Sequence, residues 1–109
     1  MSANAERAAL VYARGFTRDA TASVNVVATA GGTALTASLS SRSYIEVFVP
    51  ADAAGTVYLS TGTPTSTNHF AALVAGQSWG GWLGASIALT GLSSSGTQAV
   101  KVLELGTPL

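Results

Sequence analysis

Residues 43–49 read SYIEVFV, and the stretch sorts its side chains by alternation. Successive side chains of an extended chain point to opposite sides, so Ile45, Val47 and Val49 share one face and Tyr44, Glu46 and Phe48 the other. Period two with β-branched residues on one side predicts a strand that buries one face. Working outward, short apolar runs recur at 22–29 (ASVNVVAT), 33–39 (TALTASL), 56–60 (TVYLS), 70–74 (FAALV), 77–83 (QSWGGWL), 85–89 (ASIAL) and 98–105 (QAVKVLEL). Turn chemistry separates them: Gly31-Gly32, PADAAG at 50–55, TGTPTSTN at 61–68, Gly76, and GLSSSG at 91–96. Glycine accepts positive φ at no steric cost, so Gly31-Gly32 predicts a tight hairpin in which 33–39 returns along 22–29. Residues 8–16 (AALVYARGF) form a further strand, a helical turn or an extended arm. The expectation is an all-β chain, a single β-sandwich or jelly-roll-like barrel of about seven to eight short strands. The sandwich takes residues 21–109, after an N-terminal arm or first strand in 1–20.

Composition narrows the function. The 109 residues are 48% hydrophobic and only 9% charged, against a usual charged share of about a quarter. Positions 53–100 carry no Asp, Glu, Lys or Arg, and His69 is the one histidine. Acid–base, nucleophilic and metal chemistry depend on several such groups converging in one pocket. With formal net charge zero, there is no electrostatic case for nucleic acid or an anionic membrane surface. There is no cysteine, so disulfides, thiolate zinc ligands and thiol nucleophiles are excluded. No cofactor or metal is expected, and low net charge favours self-association. The opening MSANAER has no apolar core of signal-peptide length behind it, so folding in the cytoplasm is expected.

Several motifs have both an active and an ordinary reading. Gly76-Gln-Ser78-Trp-Gly80 fits the G-x-S-x-G nucleophile elbow. That elbow needs a strand–turn–helix setting with an acid and a histidine after the serine. Here His69 precedes Ser78 and Glu104 is the only later acid, so a turn opening a strand is expected, and no enzyme. His69 lacks the neighbouring ligands that zinc requires. Residues 70–92 are uncharged and long enough to span a bilayer, with Gly76, Gly80 and Gly84 at helix-packing intervals. The Gly80-Gly81 pair, Gln77, Ser78 and the lack of flanking Lys or Arg favour a pair of strands instead. Trp79 and Trp82 stand three apart and so belong to opposite faces of a strand, which offers one of them as an interface anchor. Arg7, Arg14 and Arg18 concentrate positive charge near the N-terminus, where arginine suits carboxylates on a partner. The expected partner interface is Arg7, Arg14, Arg18, Trp79 and Trp82.

From 41 to 105 the order of parts is a strand (SYIEVFVP), a polar turn (ADAAGT), the short strand VYLSTG, and a Thr/Ser/Asn loop ending in an aromatic (TPTSTNHF). An AGQSW turn-plus-strand and the closing VKVLELG follow. This order resembles small tailed-phage virion proteins, the β-sandwich decoration (head cement) and head-fibre modules. The resemblance implies a structural protein on the capsid exterior, bridging the major capsid protein lattice as a homotrimer, without nucleic acid or membrane partners. A fibre, tail or carbohydrate-binding module is the second expectation, with Tyr58, the 61–68 loop or a tryptophan as its recognition surface. A small membrane-active protein built on 70–92 is the third.

Overall fold

In the computed structural model, which describes residues 18–106, regular structure is β throughout. The strands are β1 (Arg18–Val26), β2 (Thr33–Ala34), β3 (Arg42–Phe48), β4 (Val57–Ser60), β5 (Ala71–Leu73), β6 (Ser78–Trp82), β7 (Thr90–Ser93) and β8 (Gln98–Gly106). Two antiparallel four-stranded sheets result, β1-β8-β3-β6 and β2-β7-β4-β5, here sheets A and B. The pairings nest: β4 with β5, β3 with β6, β2 with β7 and β1 with β8. A chain folded back on itself at the β4–β5 loop and then wrapped into two sheets is a jelly roll. The fold is therefore a small β-sandwich with jelly-roll wiring.

Alternation decides which side chains meet between the sheets. Ile45, Val47 and Val49 point inward, as their spacing predicts, and join Val26, Val57, Leu59, Leu73, Leu89, Val100 and Val102 in the core. Burying each such side chain contributes about 1.5–3 kcal/mol. The outer face of sheet A is ordered in rows by register: Asp19, Leu105, Tyr44 and Trp82 in one, and Thr21, Leu103, Glu46 and Gly80 in the next.

Three expectations change. The 22–29 and 33–39 segments are not a hairpin, because β1 lies in sheet A and β2 in sheet B. Gly32, at φ +70°, instead crosses the chain between sheets so closely over Gly91 that a Cβ would strike its carbonyl oxygen. Pairing of β1 begins at Arg18 and ends at Val26, four residues earlier than expected at its start. Residues 85–89 are not a strand; β7 begins at Thr90 and runs to Ser93, into the expected glycine turn. Within the segment the Ile87 carbonyl accepts from a side chain, described below, and the Leu89 carbonyl from the Leu35 N–H, so these groups are paired without a strand partner along the segment. Among the described residues no helix is long and apolar enough to cross a membrane, and residues 70–92 build β5, β6 and part of β7. Residues 8–16 lie outside the described residues.

Candidate functional site

Three places in the fold gather chemistry. The first is a buried polar knot where the β2–β3 and β6–β7 loops meet. Glu104 lies on the inward side of β8 beyond Val100 and Val102, fully buried. Its Oε1 accepts hydrogen bonds from the backbone N–H groups of Ala37 and Leu39, each at 2.9 Å. Its Oε2 faces Arg42 Nη1 at 2.6 Å. Arg42 donates from Nε to the carbonyl oxygen of Leu83 and from Nη2 to those of Gly84 and Ile87. The knot ties both loops to β8 and satisfies backbone groups that would otherwise be orphaned.

A β-bulge makes the knot possible. By parity Arg42 belongs with Tyr44, Glu46 and Phe48 on the outer face. The register against β8 shifts between Arg42 and Tyr44, adding Ser43 to one side of the ladder. Bulges re-aim side chains, and this one turns the guanidinium inward to Glu104. Alternation counted from the sequence puts Arg42 on the wrong face, and no local signal marks the bulge.

The second place is the side of the sandwich where both sheets end, on β5 and β6. Trp79 and Trp82 do occupy opposite faces of β6. Trp79 packs on the core and meets Phe70 edge to face, with centroids 4.9 Å apart. Trp82 projects outward at 57% exposure, its ring edge to face with that of Tyr44 across the β3–β6 pair. Gly80 and Gly81 make room for this arrangement. A Cβ at Gly80 would strike the Tyr44 hydroxyl, and one at Gly81 would lie 2.7 Å from the Trp79 ring. Phe70 and Val74, both 48% exposed, and Ile87 in the β6–β7 loop extend the apolar surface.

The third is a groove of about 370 Å³ over the outer face of sheet B. Tyr58 of β4 and Leu92 of β7, opposite each other in register, form its floor. The 61–69 loop folds back over them: Pro64 is buried, and its Cγ lies 3.1 Å from where a Cβ on Gly32 would sit. Internal bonds hold this loop, including Thr65 N–H to the Asn68 carbonyl and Asn68 N–H to Thr65 Oγ1. His69 donates from Nδ1 to the Thr65 carbonyl oxygen at 2.9 Å and stacks on Tyr58 with centroids 4.7 Å apart.

The sequence-derived residues are thus dispersed. Ser78 faces out from sheet A, whereas His69 lies over sheet B, so the two do not form a nucleophile–base pair. Glu104, the one acid after Ser78, is committed to Arg42 and the β2–β3 loop. Among the described residues no group of three or more His, Asp or Glu converges. Arg18 begins β1, at the opposite edge of sheet A from Trp79 and Trp82, three strand spacings of about 4.8 Å away. Arg7 and Arg14 lie outside the described residues. The chain matches no protein-family model, and no curated protein or solved structure is significantly similar to it.

Proposed function

We propose that this protein is a non-catalytic virion structural protein that attaches to an assembled shell through the β5–β6 side of its sandwich. The observation that carries the reading is the set of half-exposed large apolar side chains on or beside those strands: Phe70, Val74, Trp82 and Ile87. Scattered apolar residues are ordinary on a surface, but four large ones on or beside two neighbouring edge strands support a contact surface. Tryptophan at such a site is the commonest kind of anchor. The jelly roll adds support by analogy, since the architecture recurs in viral capsid domains. A charged share of 9% suits dense packing in a symmetric array, where net charge would produce self-repulsion.

In this role the protein decorates the capsid exterior as a homotrimer bridging major capsid subunits. It stabilises the shell by mass action, because it binds the assembled lattice and not the free subunits. Co-sedimentation with assembled shells tests the surface. Wild type pellets with the shells, and Trp82→Ser combined with Phe70→Ser stays in the supernatant. Undiminished pelleting of that variant removes the β5–β6 side as the interface.

A further inference from the structure

We infer that the groove over sheet B is a binding site for a neutral saccharide, distinct from the apolar β5–β6 side. Its lining decides the ligand class. Tyr58 and Leu92 supply an aromatic and an aliphatic floor, and among the described residues no charged side chain borders the groove. Anions and cations therefore gain nothing on entering it, while a ring with one apolar face and many hydroxyls matches both halves of the surface.

The polar groups around the rim are available. Ser94 Oγ accepts from Thr56 N–H at 2.8 Å and keeps its own hydrogen to donate. Thr65 Oγ1, by contrast, is occupied within the loop. Among the described residues the hydroxyls of Tyr58, Thr63 and Ser66 have no hydrogen-bond partner. A hydroxyl is both donor and acceptor, so these groups complement sugar hydroxyls in either sense. The volume of about 370 Å³ falls at the small end of the usual ligand range of about 300–1,000 Å³, enough for one or two sugar rings. The site is also preorganised. The loop that walls it is closed by the Thr65–Asn68 bonds and by Pro64 against the β1–β2 crossing, so little ordering entropy remains to be lost on binding.

The test is a titration of the ¹⁵N-labelled full chain with maltose, cellobiose, lactose and N-acetylchitobiose, alongside a sialylated lactose and a sulfated disaccharide. The expected result is saturable amide shifts confined to 28–31, 58, 63, 65, 66 and 92–94 with at least one neutral sugar. Tyr58→Leu, which keeps an apolar side chain on β4, weakens that binding about ten-fold. Ser66→Ala with Thr63→Val, both exposed in the loop, weakens it while leaving the remaining spectrum unchanged. Trp82→Ser leaves it intact, so loss of the shell interface and loss of the sugar site are separable. No shift with any neutral sugar at millimolar concentration, tighter binding of the anionic ones, or shifts centred on β6 each overturns the assignment.

Discussion

Arg42 Nη1 lies 2.6 Å from Glu104 Oε2, with both side chains almost completely out of solvent. An isolated buried ion pair is often replaceable by apolar residues at no loss, because desolvation offsets the attraction. This pair differs in that its other atoms hold five backbone groups, the N–H groups of Ala37 and Leu39 and the carbonyls of Leu83, Gly84 and Ile87.

Removing either partner strands the other charge, so Glu104→Ala or Arg42→Ala should cost about 3–5 kcal/mol. The double variant should cost less than the sum, yet more than a simple pair replacement, since the backbone groups stay unpaired. Urea unfolding of the four proteins closes the cycle. Full recovery in Arg42→Met with Glu104→Leu contradicts the backbone-anchoring role.

Gly80 should tolerate no side chain while Tyr44 is present. A Cβ there meets the Tyr44 hydroxyl and lies 3.0 Å from Cζ, so Gly80→Ala should destabilise by about 1–2 kcal/mol through overpacking. In a Tyr44→Leu background the same change should cost clearly less. Equal costs in both backgrounds, read from thermal melts, show that the Tyr44 ring does not set the glycine requirement.

Ser78→Ala should change stability by less than about 0.5 kcal/mol, as expected for an exposed position without partners. Its neighbour across the ladder is Phe48, and His69 lies over the other sheet. Esterase and peptidase assays of wild type and variant check the chemical side. A hydrolytic rate in the wild type that disappears in the variant overturns the non-catalytic reading.

Much of the fold was legible because it is local. The alternation of residues 43–49 put Ile45, Val47 and Val49 on the core face, and the spacing of Trp79 and Trp82 put them on opposite faces. What failed was non-local. Gly31-Gly32 is an equally good turn whether the next strand pairs with its neighbour or crosses to the other sheet, and nothing nearby distinguishes the two. Residues 85–89 have the composition of a strand, but the Arg42 guanidinium, more than forty positions earlier in the chain, takes the carbonyls of Gly84 and Ile87. The Tyr58 groove was partly legible. Tyr58, the 61–68 loop or a tryptophan was the recognition surface expected of a fibre or carbohydrate-binding module, whereas Leu92 and Ser94 reach the groove through the pairing of β7 with β4.

Attachment to an assembled shell is tested most directly by immunogold electron microscopy of intact virions from cells that make this protein. Antibody is raised against the purified chain. The account predicts dense, regularly spaced label on the exterior of the capsid, depleted when Trp82→Ser with Phe70→Ser replaces the wild-type protein. Particles without label, with the protein recovered only in the unassembled fraction, would contradict it.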